Sequence, residues 1–165
     1  MVDLASQRAA GQGQLKVSRQ VSAPVGSRVR SEPGPVATTP SAIAKTCTRT
    51  PVCPMHQVSF DQALTSDKPT VVPFATPLFC SSRMCGPVVD QQLLAFQQLK
   101  GQADFIHVEI YPERDTTKPA PLYRAWGLPS EPGVFVIDRQ GIIRARLGEG
   151  PTTAGEIQAA LRPLR

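Results

Sequence analysis

The strongest constraint on the fold of this chain is a cysteine-bearing segment between an apolar, β-branched run and a helical pattern. The run Thr70–Ala75 has the composition of a buried strand, and the apolar spacing over Gly86–Lys100 predicts a helix. Cys80 and Cys85 lie at the junction of these two elements. The amides and the dipole at the start of a helix favour an anion, which lowers the pKa of a thiol and makes its thiolate available as a nucleophile. The sequence therefore predicts that Cys85 is a reactive thiol and that Cys80 is its disulfide partner.

Strand-like and helix-like segments alternate through the rest of the chain, which predicts an α/β sheet of mixed direction. The predicted strands after Thr70–Ala75 are Phe105–Ile110, Val134–Asp138 and Ile142–Arg146, and the further predicted helices run from Ser59 to about Leu64, around Pro121–Trp126 and from about Thr153 to Leu161.

Composition divides the chain into an arm and a single domain. Residues 1–45 contain no aromatic residue and no sustained apolar period, so we expect a disordered or extended N-terminal arm, with a short extended piece near Val25–Val36 packing on the domain of residues 46–165. The whole net charge of +5 comes from residues 1–50, which argues against nucleic-acid binding by the domain. No apolar run approaches the roughly 18 residues of a membrane-spanning helix.

Three motifs, in order, resemble the thioredoxin-like superfamily and specifically its redoxin and thiol-disulfide oxidoreductase branch. They are Cys85-Gly86-Pro87 at the start of the long helix, the segment Trp126–Asp138 that enters a strand through Pro132, and the hairpin strand Gly141–Gly148. The resemblance covers about residues 57–165. It implies a thioredoxin-like three-layer fold with a mixed central β-sheet flanked by helices.

The resemblance also implies a site. Cys85 matches the nucleophilic cysteine, and Pro132 matches the cis-proline that faces the nucleophile. The family's usual resolving cysteine is absent, and Cys80, five residues upstream of Cys85, is expected to resolve the mixed disulfide in its place. The substrate-binding residues that follow from the resemblance are Gly86, Pro87, Glu131 and Pro132.

The chain departs from the family pattern at several of these positions. Val88 stands where the family has its second cysteine, and Pro73 aligns with the family's buried acidic residue. Glu131 precedes the cis-proline, and its negative charge is expected to raise the pKa of a nearby thiol. Glu109 on the central strand is a possible substitute for the missing acid.

The second pair of cysteines, Cys47 and Cys53, flanks a proline-rich turn and predicts a structural disulfide that closes a loop. A metal site that uses both cysteines and His56 is the alternative, but the spacing matches no familiar zinc pattern and lacks an obvious fourth ligand. His107 is predicted to be a packed strand residue. We therefore expect no metal.

Three functions are compatible with these features. The first is a thiol-disulfide oxidoreductase that exchanges disulfides with protein substrates through Cys80 and Cys85. The second is a peroxiredoxin-like thiol peroxidase in which Cys80 is peroxidatic and Cys85 resolving, suggested by Pro73 and Thr76 upstream. The third is a non-catalytic thioredoxin-like binding domain with structural disulfides.

The first function requires a thiol electron donor, because the sequence has no phosphate-binding glycine loop and no nicotinamide or flavin fingerprint. We accordingly expect no cofactor, protein or small-molecule thiols as partners, no nucleic acid, no membrane span and a monomer. The first eight residues contain no apolar segment, so no secretory signal is expected. The paired cysteines nevertheless favour an extracytoplasmic location.

Overall fold

A mixed five-stranded sheet between two layers of helices forms the centre of the molecule. It is seen in a computed structural model that describes residues 23–32, 34, 36–148 and 151–165. The predicted three-layer arrangement is confirmed. The helices are α1 (Pro40–Thr46), α2 (Phe60–Ala63), α3 (Cys85–Gln98), α4 (Pro121–Trp126) and α5 (Ala154–Leu161), with short 3₁₀ turns at Pro112–Arg114 and Arg162–Leu164.

The central strand of the sheet is β1. It pairs in parallel with β2 and β3 on one side and antiparallel with β4 on the other, and β5 extends the sheet beyond β4. Every residue of β1 and β4 is buried, because helices cover both faces of these strands. The strands are β1 (Thr70–Ala75), β2 (Asp104–Phe105), β3 (Val108–Glu109), β4 (Gly133–Ile137) and β5 (Ile143–Leu147).

The two faces of the sheet carry separate apolar clusters. Side chains alternate along β1, so that Val71 and Ala75 pack on the side of α3 and α5, whereas Val72 and Phe74 pack on the side of α2 and α4. The second cluster contains the only tryptophan, Trp126, whose ring lies 4.9 Å from that of Phe74 between centroids. Trp126 is therefore a core-packing residue of this cluster.

The second predicted strand, Phe105–Ile110, is not continuous. His107 donates its amide to the carbonyl of Met55 (2.7 Å) and so leaves the ladder with β1, which resumes at Val108. The strand is therefore divided into β2 and β3. The interruption brings the segment around Met55 against the sheet and places the His107 ring in the interior.

From residue 23 on, the described part of the predicted arm contains ordered structure. Arg28 bridges to Ile142 and Ser27 accepts the Ile143 amide (3.0 Å), so the expected extended piece packs on the domain. Helix α1 begins inside the predicted arm and ends one residue beyond its boundary. The Thr39 side chain caps this helix by accepting the Ala42 amide, and Pro40 occupies its first turn. Residues 1–22 of the predicted arm lie outside the described residues, and the boundary at residue 45 stays a prediction.

Among the residues that the structure describes, no helix combines the length and the apolar character needed to cross a membrane.

Candidate functional site

Cys80 and Cys85 lie together where the chain passes from β1 to α3. The loop between the two elements turns back through Arg83, which has a positive φ of 61°, and its amide donates to the Cys80 carbonyl. Helix α3 then begins at Cys85, with Met84 as an N-cap residue whose side chain makes no capping bond. In place of a capping oxygen, the Sγ atom of Cys80 accepts the backbone amide of Cys85 at 3.2 Å.

The two sulfur atoms have different surroundings. Cys80 is half-buried, and its Sγ atom lies 3.4 Å from the Ser82 hydroxyl. Burial alone would raise the pKa of Cys80, but hydrogen bonds from Cys85 and from Ser82 outweigh it and lower that pKa. The Cys85 thiol, the Ser82 hydroxyl and the backbone amides of both residues therefore together stabilise a thiolate at Cys80.

Cys85 is completely buried, and its pKa shifts in the opposite direction. Burial and the hydrogen bond to the Cys80 sulfur raise the pKa of Cys85, and the negative charge of Glu131 raises it further. The charge of Glu131 therefore acts against a thiolate at Cys85, in the direction expected from the sequence. Cys80 is thus the more acidic and the more accessible thiol of the pair. The predicted assignment of Cys85 as the nucleophile and Cys80 as the resolving cysteine stays a prediction.

The loop that carries Pro132 faces the cysteine loop. The Glu131–Pro132 peptide bond is cis, as predicted. The Glu131 carboxylate accepts hydrogen bonds from the Ser81 hydroxyl (3.1 Å) and the Ser81 amide (3.4 Å). A direct polar contact therefore joins the two loops, and nothing in the sequence pattern identifies Ser81 as the partner of Glu131.

The other predicted site residues lie on helix α3 and on the loop before β4. Gly86 is half-buried and Pro87 is exposed in the first turn of α3, and Pro132 is buried. Val88, at the position of the family's second cysteine, packs in the apolar cluster of α3. Pro73 pairs with Val134 in the sheet, so no carboxylate occupies that position.

Glu109 lies in a different environment from the one that the sequence suggests. Its Oε2 atom accepts the Thr48 amide (2.9 Å) and the Thr48 hydroxyl (2.6 Å), and its Oε1 atom accepts the Tyr111 amide. These contacts place the carboxylate beside the Cys47 loop. Glu109 therefore anchors that loop.

A second polar group lies in the interior, at Cys47 and Cys53. Both residues are free thiols in the structure, with Sγ atoms 3.8 Å apart, and the rings of His56 and His107 lie against them. The hydrogen bond between the two sulfurs lowers the pKa of Cys47, while the same bond together with burial raises the pKa of Cys53. The predicted disulfide between Cys47 and Cys53 stays a prediction. His107, expected to be a packed strand residue, is buried but also contacts both sulfurs, a convergence that its sequence position does not reveal.

No family model matches the chain, and no curated protein matches it significantly. Solved structures do match the chain. A DsbF homologue from Corynebacterium diphtheriae is 16% identical, with a TM-score of 0.54 over 93% of this chain and 100% of that one. The C-terminal domain of a candidate thiol-disulfide oxidoreductase from Bacteroides thetaiotaomicron is 8% identical, with a TM-score of 0.54 over 87% of this chain and 97% of that one. These likenesses show a thioredoxin-like fold and confirm the predicted resemblance at that level.

Proposed function

We propose that this protein is a thiol-disulfide oxidoreductase in which Cys80 is the attacking residue and Cys85 is the resolving residue. One observation carries the proposal: the first amide of α3 donates to the Sγ atom of half-buried Cys80, with the Cys85 thiol beside it. The fold shared with thiol-disulfide oxidoreductases supports it. The cis Glu131–Pro132 loop opposite the cysteines also supports it.

The exchange proceeds in two displacements. The Cys80 thiolate attacks one sulfur of a substrate disulfide, a Cys80–substrate bond forms, and the second substrate sulfur leaves as a thiolate that takes a proton from water. Cys85 then loses its proton to solvent and attacks the Cys80 sulfur, which releases the first substrate sulfur. Two electrons pass from the cysteine pair to the substrate, and an external dithiol or glutathione returns them.

The order of attack follows from exposure and charge. A nucleophilic thiol must be accessible and ionised near neutral pH, and these conditions are better met by Cys80 than by buried Cys85. A resolving thiol needs only to reach the Cys80 sulfur. Burial suits Cys85 to this resolving role, because it keeps competing thiols and disulfides away from the Cys85 sulfur.

The surface around Cys80 suits a peptide disulfide. Leu78, two residues before Cys80, is 53% exposed, and Pro87 is exposed at the opposite end of the loop. Gly86, Pro87, Glu131 and Pro132 are therefore proposed to form the groove in which the substrate backbone lies. An apolar side chain next to the substrate cysteine would pack on Leu78.

Intermediate trapping tests the function and the assignment of roles together. The reduced protein is mixed with a peptide that contains one disulfide, and covalent adducts are counted by intact mass. We expect Cys85→Ser to accumulate a one-to-one mixed disulfide through Cys80, and Cys80→Ser to lose exchange by at least about 100-fold. The double variant Cys80→Ser/Cys85→Ser is the control for adducts at Cys47 and Cys53.

Each contrary result has a definite meaning. Trapping by Cys80→Ser instead of Cys85→Ser would restore the order predicted from the sequence. Exchange that is unchanged in both single variants would exclude the proposed function. Rapid consumption of hydrogen peroxide through Cys80, with no peptide adduct, would favour the thiol peroxidase.

A further inference from the structure

Four potential metal ligands converge in the interior away from the Cys80 loop. They are Cys47, Cys53, His56 and His107, each at most 2% exposed, and their ligand atoms all lie within 4.8 Å of one another. The sequence contains only two histidines, and both belong to this group. Three of its members form the candidate metal site that the sequence offers, and the fourth, His107, lies far from them along the chain.

Four of the six distances within the group match the edges of a coordination tetrahedron. With zinc bonds of about 2.3 Å to sulfur and about 2.0–2.1 Å to nitrogen, the expected separations are about 3.8 Å between two sulfurs and about 3.6 Å between sulfur and nitrogen. The two Sγ atoms are 3.8 Å apart. The Cys53 sulfur lies 3.4 Å from His56 Nε2 and 3.3 Å from His107 Nδ1, and the Cys47 sulfur lies 3.9 Å from His107 Nδ1.

The Nε2 atom of His107, on the side of the ring away from the two sulfurs, has the kind of partner that is typical of metal-binding histidines. This Nε2 atom lies 3.2 Å from the carbonyl oxygen of Ala75, which can only accept a hydrogen bond. The proton of the neutral ring is therefore on Nε2, and the lone pair of Nδ1 points toward the two sulfurs. Ligating histidines commonly donate their second N–H to a backbone carbonyl in this way, which fixes the tautomer and the orientation of the ring.

The backbone around the ligands is also fixed. The His107 amide donates to Met55 (2.7 Å), and the His56 carbonyl accepts the Ala37 amide (2.8 Å). The residue after Cys47, Thr48, is bound through its amide and hydroxyl to the Glu109 carboxylate. The ligands are thus presented by a supported framework, although residues 47–56 form no helix or strand.

The donor set indicates which ion would bind and what it would do. The two negative charges of the cysteine thiolates balance the two positive charges of Zn²⁺, so the complex of the ion with its four ligands is neutral. Binding would therefore give these four buried polar groups, which have few other partners, a shared partner without leaving a net charge in the interior. Two sulfur and two imidazole donors suit tetrahedral zinc. Four protein ligands leave no coordination position for a substrate, which is typical of structural and not of catalytic sites.

We propose that Cys47, Cys53, His56 and His107 bind one structural zinc ion that attaches the segment of residues 47–56 to the sheet. The site is separate from the Cys80–Cys85 pair and does not depend on the proposed exchange activity. Zinc displaces the two thiol protons to solvent and forms two bonds to sulfur and two to nitrogen, with no change in oxidation state.

Metal analysis of the full-length protein is the first test. The chain is purified with a reductant, loaded with zinc, passed through a desalting column, and assayed for zinc by mass spectrometry. We expect one zinc per chain in the unmodified protein and in the control variant Cys80→Ser/Cys85→Ser. Cobalt loaded in place of zinc should give the visible bands of a tetrahedral site with thiolate-to-metal charge transfer.

The variants His107→Asn and Cys53→Ser should each lower the affinity for zinc more than about 100-fold. Substitution of a residue that only supports a metal ligand usually lowers metal affinity by about 10–100-fold, so a larger loss identifies a direct ligand. Loss of zinc in the double-serine control, or an unchanged cobalt spectrum in His107→Asn, would overturn the proposal.

A measurement on the unmodified protein keeps the test valid even if these variants fail to fold. Zinc should protect Cys47 and Cys53 from alkylation while Cys80 still reacts, and a chelator should remove the protection. A protein that takes up no zinc when reduced, and that loses two hydrogen atoms in a Cys47–Cys53 disulfide when purified in air, would establish the disulfide predicted from the sequence instead.

Discussion

The two cysteine pairs of this chain are similar in sequence and different in surroundings. Cys80 and Cys85 are five residues apart, and Cys47 and Cys53 are six apart. The first pair lies at the start of a helix, where one sulfur is half-buried and accepts a backbone amide. The second pair is enclosed with two imidazole rings. The spacing of two cysteines along the chain therefore does not determine their chemistry. Their chemistry depends on the groups that the fold places next to the sulfur atoms.

The two regions are close neighbours in the fold. The Thr48 hydroxyl donates to Glu109 beside the Cys47 group and accepts the Leu78 amide from the loop that carries Cys80. Ala75, whose carbonyl faces His107, is the last residue of β1 before that loop. The buried group thus supports the base of the proposed exchange site while its own thiols are kept from solvent.

The largest expected contrast is in stability. Cys53→Ser should remove the proposed zinc, and a ligand present at about 1,000 times its Kd contributes about 4 kcal/mol to the free energy of unfolding. For a chain of this size, that loss corresponds to a fall in Tm of about 10 °C. Cys80→Ser changes one atom of a half-buried side chain, so its free energy of unfolding should stay within about 0.5 kcal/mol of that of the unmodified protein. Thermal unfolding with and without a chelator measures both effects.

The chelator provides the control for this comparison. It should lower the Tm of the unmodified protein and of Cys80→Ser equally, and it should leave Cys53→Ser unchanged. Equal Tm values for both serine variants would remove the distinction between a structural pair and an exchange pair.

Most of the fold follows from patterns within single segments. The strand Thr70–Ala75 and the helix Pro121–Trp126 have the predicted bounds, because each is delimited by local signals such as proline and glycine. The interruption of the second predicted strand, Phe105–Ile110, was not predictable in this way. The interruption depends on a hydrogen bond from His107 to Met55, and no local sequence signal encodes that long-range contact.

The candidate site shows the same limit. Cys80, Cys85 and the cis bond before Pro132 follow from motif positions, but the relative acidity of the two thiols does not. That acidity depends on how the loop folds back and presents the Cys80 sulfur to the first amide of α3. His107 comes close to Cys47 and Cys53 only through the topology of the sheet. Three of the four proposed ligands could therefore be identified as a group from the sequence, and the fourth could not.

The pH dependence of alkylation sharpens the contrast within the first pair. Because the pKa of Cys80 is lowered, its rate with iodoacetamide should reach half of its maximum at a lower pH than in the unfolded chain. As the pH falls through the pKa of Cys80 in the folded protein, the thiolate is protonated and the rate declines. Burial and the neighbouring sulfur raise the pKa of Cys85, so at pH 7 it should react at least about 10-fold more slowly.

Peptide mass mapping of the alkylated protein assigns each rate to its cysteine. Cys85→Ser and Cys80→Ser serve as matched single-thiol controls for the loop. Faster labelling of Cys85 than of Cys80 would reverse the roles proposed here.

The smallest expected effect comes from Glu131, whose carboxylate adds to burial and to the Cys80 sulfur in raising the pKa of Cys85. Glu131→Gln removes the charge and should lower that pKa. The rate of attack by a thiol rises with its thiolate fraction, but its intrinsic nucleophilicity falls with a Brønsted coefficient of about 0.4–0.5. A fall of one pKa unit would therefore accelerate attack by Cys85 on Cys80 only about three- to four-fold.

Release of glutathione from protein carrying glutathione on Cys80 measures this step, and Ser81→Ala is the matched control. That variant deletes the hydroxyl hydrogen bond to Glu131 but keeps the charge, so the rate of release should stay within about two-fold of the original. Slower release in Glu131→Gln would mean that the carboxylate accepts the Cys85 proton during the attack. Glu131 would then supply the base that Pro73 cannot, and the high pKa of Cys85 would be part of the mechanism and not a cost of placing an acid beside the cis-proline.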